Sequence, residues 1–327
     1  MFRTEINIPS SPKKIDLSTP ILSIGSCFSD CIGNRFKDNK FQALANPFGT
    51  VYNPISIFKL LAYSLNKEYP AEDTYISTGN LQANYDFHSS FSSVDKDAVA
   101  EGVKSSIDKT HSQLLKCKWL IITFGTSFIY RRKDNHEIVA NCHKVPSKHF
   151  TKELLSQAEM IQEFSVLLKK LQKINPALNI ILTVSPVRHI KDTLEQNSVS
   201  KSILRTLCHE LSTSNQNIHY FPSYEIMMDD LRDYRFYKGD MIHPTEVAED
   251  YIWGKFADTY FTSDTQQFLK KWSKLRRAIH HRPFNLESEE HQKFIHETIN
   301  KLNQLSQQID LTTEIEGLKK QIAKHHD

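Results

Sequence analysis

Four short apolar segments, at residues 21–24, 119–124, 180–184 and 218–221, constrain the fold of this chain more than any other feature. Each ends at a glycine, serine or proline, and helical patterns lie between them. The runs are predominantly apolar rather than alternating, which marks strands covered on both faces. Such strands separated by helices predict an α/β fold, a mostly parallel sheet with helices on both sides. Helical periodicity covers residues 28–36, 55–65, 97–115, 151–173, 198–212 and 244–256. It is clearest at 151–173, where Leu154, Leu155, Met160, Ile161, Phe164, Leu167, Leu168 and Leu171 recur at three-and-four spacing. Residues 70–95 are polar and aromatic without a period, and 128–139 reads as a hairpin around Lys133-Asp134-Asn135.

Beyond Phe261 the character changes. Helices at 263–279, 287–308 and 310–324, rich in Lys, Glu and Gln, predict a C-terminal helical extension. The expected division is therefore 1–260, an α/β catalytic domain, and 261–327, the helical part. The long helices either pack on the main domain or pair between subunits as a homo-oligomer. The basic run from Lys270 to Arg277 reads as the solvated face of a helix.

In open parallel sheets, ligands gather beyond the carboxyl ends of the strands. Gly25-Ser26-Cys27, Gly125-Thr126-Ser127 and Ser185-Pro186 all fall at that edge. The chain has only nine glycines, and Gly25, Gly49, Gly125 and Gly239 sit in these and neighbouring loops, where backbone must turn tightly or approach a ligand. Strand, glycine, nucleophile and helix in succession form an elbow that lifts a reactive side chain out of a sheet, with free helix N–H groups facing any developing negative charge. Cys27 and Ser26 are both candidate nucleophiles. Far along the chain, Asp240 precedes His243 by three residues in a loop entering a helix. That spacing lets the carboxylate orient the imidazole while the ring takes a proton from the nucleophile. His88, His143 and His189 are candidate substrate-side groups, each with the alternative of a hydrogen-bonded structural role.

The net charge of +3 argues against a nucleic-acid binder. No run approaches the length of a membrane span, and the first residues lack a signal-peptide core. Five scattered cysteines, none at zinc-ribbon spacing, favour a reducing cytoplasm over a disulfide framework. Asp240, His243 and His143 lack metal-ligand spacing, so no metal is expected.

Gly25-Ser26-Cys27-Phe28-Ser29 resembles the signature of the GSCFA family, which is similar to the wider SGNH/GDSL esterases. The resemblance continues through Asn46-Pro47-Phe48-Gly49, Asn141-Cys142-His143-Lys144 and Asp240-Met241-Ile242-His243-Pro244, and covers roughly residues 20–300. It implies a flavodoxin-like three-layer αβα sandwich with an early nucleophile, a late Asp-x-x-His and oxyanion donors from two loops between. By that analogy Gly49 offers a backbone N–H, and Ser127 stands where SGNH enzymes keep an asparagine; Asn141 and His143 line the substrate side. SGNH loops read Gly-Asp-Ser, so Cys27 occupies the nucleophile's place and Ser26 the aspartate's; a Gly-Asn-Cys loop in capsule-biosynthesis acyltransferase-like proteins is similar. If Cys27 attacks, Ser26 is free to cap the helix, and the helix end beside a histidine should favour the thiolate. The implied activity is hydrolysis of an acyl ester, such as an O-acyl group on a carbohydrate, without a cofactor. The alternatives are acyl transfer to a polysaccharide precursor from a coenzyme A-linked donor, and a binding protein that has lost the chemistry.

Overall fold

The computed structural model describes residues 4–281, 288–307 and 309–323. The chain forms two compact units. One comprises the N-terminal residues up to Pro12 together with Ser18–Tyr260; the other comprises Lys13–Leu17 and the chain from Phe261 onward. The contiguous division into 1–260 and 261–327 therefore misses a short N-terminal segment that belongs to the helical unit.

In the first unit, five strands among the described residues form one parallel sheet: β1 (Ile21–Gly25), β2 (Ala43–Ala45), β5 (Trp119–Phe124), β9 (Asn179–Val184) and β10 (Ile218–Tyr220). Their order across the sheet is β10-β9-β5-β1-β2. The four anticipated strands are present, and all six residues of β5 are buried, as strands covered on both faces require. β2 is the fifth. Its three half-buried residues carry no periodic signal, and pairing with β1 makes them a strand.

The helices of this unit are α1 (Cys27–Asp38), α2 (Pro54–Asn66), α3 (Lys96–Lys116), α4 (Gln157–Ile174), α5 (Thr193–Ser214), the single turn α6 (Ser223–Glu225) and α7 (Glu246–Tyr260). They complete a three-layer α/β sandwich around a core that includes Leu22, Ile24, Leu120, Ile122, Leu182, Phe58 and Phe164.

Two further sheets correct the sequence reading. Residues 70–95 contain an antiparallel hairpin, β3 (Tyr75–Thr78) and β4 (Leu81–Asn84). The hairpin expected at 128–139 is part of a three-stranded sheet in which β6 (Phe128–Arg132) lies between β7 (Ile138–Val139) and β8 (Phe150–Leu154). The helix expected from 151 begins only at Gln157, because Phe150–Leu154 pair with β6 and Ser156 caps the helix. Ser156 Oγ accepts from the Glu159 N–H while Glu159 reaches back to the Ser156 N–H, a reciprocal capping box.

Register brings the carboxyl ends of the central strands level. Gly25 lies opposite Thr123, and Phe124 opposite Val184. The loops that follow β1, β5 and β9 therefore open at one edge. The chain runs from β1 to β2 on one side and then crosses to β5 on the other, so the crevice of this fold lies between β1 and β5.

The second unit packs α8 (Ser263–Ile279), α9 (Glu289–Leu305) and α10 (Thr312–Ala323). Its core includes Phe268, Trp272, Ile295, Ile299, Leu302 and Leu318, with Leu17 of the N-terminal segment against it. Ile15 is fully buried and bridges to Phe261, whose neighbour Thr262 donates its N–H to the Ile15 carbonyl at 3.1 Å. The expected helix bounds at 287, 308 and 324 lie outside the described residues. No described helix is long and apolar enough to cross a membrane.

Candidate functional site

Gly25 ends β1 with φ +145°, and a Cβ there would come within 2.1 Å of the Thr123 carbonyl oxygen. Only glycine fits, and the turn it permits hands the chain directly to α1. Ser26 donates its N–H to the Thr123 carbonyl at 3.1 Å and occupies the N-cap position. Its hydroxyl makes no capping bond. Ser26 is fully buried, and its Oγ has no hydrogen-bond partner. Cys27 is the first residue of α1 and is half-buried.

The expectation that the helix end favours the Cys27 thiolate is reversed. Burial, then the Asp30 carboxylate, push the thiol above its ordinary value. Lys201 and the backbone N–H groups of Cys27 and Phe28 act in the opposite direction without overcoming them.

Asp240 and His243 meet as their spacing requires. Asp240 Oδ1 accepts the N–H groups of Ile242 at 2.8 Å and His243 at 3.0 Å, while Oδ2 lies 2.7 Å from His243 Nδ1. The two backbone bonds and the ring bond hold the carboxyl well below the usual carboxylate range. Because the ionised carboxylate can only accept, Nδ1 is the donor and Nε2 is the ring nitrogen left to exchange a proton. The pair is tied to the segment after β9, where the Arg188 N–H reaches the Ile242 carbonyl at 3.4 Å. Among the described residues no hydrogen bond joins the His243 ring to Cys27 or Ser26.

His189, on that same segment, is half-buried, and its Nε2 atom is buried with no hydrogen-bond partner. Burial first, then Lys201 and His243, lower its pKa to about 3, so its imidazole is neutral. The Tyr52 ring stands edge-on to it at 5.5 Å. Cys27, His189 and the Asp240–His243 loop thus belong to one edge of the sheet.

Other anticipated residues are committed elsewhere. The Gly49 N–H donates to the Asn46 carbonyl at 2.9 Å. With φ +71°, and a Cβ that would fall 2.4 Å from His88 Cβ, Gly49 is the inner corner of a tight turn rather than a free oxyanion donor. Ser127 is fully buried; its N–H goes to Ser200 Oγ at 2.8 Å and its hydroxyl lies 3.0 Å from the same oxygen, so neither is offered to a ligand. His143 Nε2 lies 2.7 Å from the Asn84 carbonyl and 3.1 Å from that of Phe87, and burial lowers its pKa. Asn141 accepts the His143 N–H at 2.9 Å. His88 Nδ1 accepts the Ser90 N–H at 3.2 Å and closes a turn. Asn141, His143 and His88 brace the loops around β4 and do not join Cys27. Among the described residues no three His, Cys, Asp or Glu side chains are grouped to hold a metal ion.

The family model described as the GSCFA family matches residues 20–256, and that of the C-terminal domain of GSCFA domain proteins matches residues 272–324. The chain belongs to the GSCFA family. A comparison with curated proteins gives no match. The site of this GSCFA chain also contains residues to which the motif reading gave no role. Asn46 receives the Gly25 N–H on Oδ1 at 2.8 Å and gives Nδ2 to Asp30 at 2.6 Å; Thr50 Oγ1 reaches the other Asp30 oxygen at 2.9 Å. The Asn-Pro-Phe-Gly turn is thereby a clamp on the elbow.

Lys201 is the other omission. It is 1% exposed, and its Nζ donates to the carbonyls of Gly125 and Ser185, each at 2.7 Å. Its signal lay in the pattern of α5. Asn197, Ser200 and Lys201 continue the buried face of Leu204, Leu207, Cys208 and Leu211, a place where polar side chains need a reason.

Proposed function

We propose that this GSCFA protein is an ester hydrolase that cleaves an acyl ester, such as an O-acyl group on a carbohydrate, through a thioester on Cys27. The observation that carries the reading is the Asp240–His243 pair, hydrogen-bonded at 2.7 Å on a loop tied to the sheet edge where Cys27 begins its helix. Cys27 is chosen over Ser26 by access. Ser26 is fully buried beneath the turn, whereas Cys27 is half-buried at the helix end.

His243 takes the Cys27 thiol proton as the sulfur attacks the ester carbonyl carbon, and the carbon–oxygen bond to the leaving alcohol breaks. The imidazolium, paired with Asp240, gives that proton to the alcohol oxygen; the ring then takes one from the water that opens the thioester and returns it to the departing Cys27 sulfur. The N–H groups of Cys27 and Phe28, at the first turn of α1, stabilise negative charge on the carbonyl oxygen. Transfer instead of hydrolysis uses the same thioester, with a sugar hydroxyl in place of water and a coenzyme A-linked donor.

Turnover of short aryl esters tests the assignment. Cys27→Ala should abolish it, while Ser26→Ala should retain most of it. Full activity in Cys27→Ala, or loss confined to Ser26→Ala, overturns the choice of nucleophile.

A further inference from the structure

We propose that Arg188 is the positioning residue of the Asp240–His243 pair: it fixes the loop that carries them to the segment after β9, and so sets where His243 stands at the sheet edge. The inference rests on reading that pair as the acid–base group of the ester reaction, and adds the side chain that holds it in place.

The loop is braced within itself. The Lys238 N–H donates to the His243 carbonyl at 2.7 Å, the Met241 N–H donates to the Lys238 carbonyl at 2.9 Å, and Asp240 Oδ1 accepts from both Ile242 and His243. Packing holds its working end only loosely, since the Asp240 and His243 side chains are 45% and 41% exposed. Where this braced ring sits therefore depends on what it is bonded to. Among the described residues, the hydrogen bonds that leave 238–243 for the rest of the unit are both made by Arg188. Its N–H donates to the Ile242 carbonyl and its Nη1 to the Met241 carbonyl, each at 3.4 Å. The further polar tie is the ion pair of Lys238 with Glu249 at 3.8 Å, whose lysine is more than half exposed and whose attraction is screened by water.

Both Arg188 bonds are long, and a third contact makes the guanidinium a fixed point. Its central carbon lies 4.1 Å from the centre of the Tyr237 ring and 5.4 Å from that of Tyr234. A planar cation can lie on a ring and still donate in its own plane to a carbonyl at the edge, which an ammonium cannot reproduce. The charge has no carboxylate partner among the described residues. The carboxylates nearby in the chain are engaged, Asp229 with Arg232 and Asp233 with Arg235. The tyrosine faces take that place.

The anchor itself is firm. The Val187 N–H donates to Ser185 Oγ at 3.3 Å, and the Ser185 carbonyl accepts from the buried Lys201 Nζ at 2.7 Å. Lys201 holds the Gly125 carbonyl at the same distance, and so staples the ends of β5 and β9 together. The elbow is bonded to β5 through the Ser26 N–H and the Thr123 carbonyl. Bonded groups thus run from the elbow to Arg188, and Arg188 passes that placement to the loop.

Amide exchange and kinetics test the assignment together. In Arg188→Ala the amide hydrogens of Lys238, Met241, Ile242 and His243, followed by nuclear magnetic resonance, should exchange at least about tenfold faster, with those of β1, β5 and β9 unchanged. In the same variant kcat for a short aryl ester should fall at least about tenfold while KM stays within about threefold, because a displaced proton-transfer group slows the chemistry without weakening substrate binding. Wild-type exchange in the loop overturns the proposal. A loosened loop with full kcat overturns it too, as does a rise in KM with kcat unchanged. If Arg188→Ala does not fold, Arg188→Met, which keeps an apolar stem over Tyr237 and loses the donors, is read by the same criteria. A wild type without ester turnover that still shows the exchange response removes the esterase reading and leaves Arg188 as the anchor. Turnover with no exchange response removes the anchor and leaves the esterase.

Discussion

Replacing Asn46 by alanine probes the clamp on the elbow without touching a reacting group. Asn46 is 9% exposed, and its side chain makes two bonds, one from the Gly25 N–H at 2.8 Å and one to Asp30 Oδ1 at 2.6 Å. Alanine leaves the Gly25 N–H without a partner inside the protein, at a cost of about 1–3 kcal/mol. The lost bond to the Asp30 carboxylate adds about 1.5–3 kcal/mol, the usual worth of a hydrogen bond to a charged group. The backbone at Asn46 has φ +40°, a region asparagine tolerates better than alanine, which adds strain of about 1 kcal/mol. Water entering beside the part-buried Asp30 recovers some of this, so a net loss of about 3–5 kcal/mol is expected. For a unit of this size each kcal/mol lowers the melting temperature by about 2–4 °C, giving a fall of roughly 6–20 °C. Thermal unfolding followed by circular dichroism measures it, with alkylation of Cys27 in the folded variant reporting whether the elbow has loosened. A melting temperature within about 2 °C of wild type would refute the reasoning, because it would mean that neither bond contributes in solution.

Two further outcomes follow from the same geometry. Asp240→Asn should lower ester turnover by at least about a hundredfold, because an amide can still accept the two backbone N–H groups but no longer holds a charged imidazole in one orientation; steady-state kinetics read it. The wild-type carboxyl titrates below its usual range, so the pair contributes fully above that range and is lost only as pH falls through the lowered value, leaving the His243 ring signals unperturbed by Asp240 titration between pH 5 and 8. His189 has a folded pKa of about 3, below that of a free imidazole. The unfolded chain therefore binds the extra proton first, and stability falls as pH drops from about 6.5 toward 3, by roughly 2–3 kcal/mol at pH 4.5. Urea denaturation across that window should show a shallower decline in His189→Phe, and parallel curves would contradict the assignment.

Residues whose fate is set by local pattern were legible in the sequence, and those set by a distant partner were not. Trp119 to Phe124 announced a covered strand because every side chain but that of Thr123 is apolar. Ala43–Ala45 announced nothing, since three small residues become a strand only by lying beside β1. The hairpin at Tyr75–Asn84 was concealed by its polar side chains, although Gly79-Asn80 is a recognised turn for such a loop. Phe150–Leu154 looked helical because Leu154 and Leu155 extend the period of α4 backwards; the decisive mark was Ser156 with Glu159. At the site, the three-residue spacing of Asp240 and His243 was enough to forecast their bond. Gly49 and Ser127 were named by resemblance, but whether a backbone N–H is free depends on which carbonyl or hydroxyl reaches it, and Asn46 and Ser200 had already done so. Lys201 was hidden by its charge, which reads as surface until the helix face it shares is traced.

The bond between Ile15 and Thr262 has a consequence for how the molecule is made. Residues 13–17 leave the ribosome well before their partners, which emerge only after the α/β unit has been synthesised. During that interval Ile15 and Leu17 are apolar side chains without cover, a short adhesive tail on a nascent chain. Ending translation at Tyr260 would make that condition permanent, so a shortened chain should be the more aggregation-prone one even where every strand of the sheet is present.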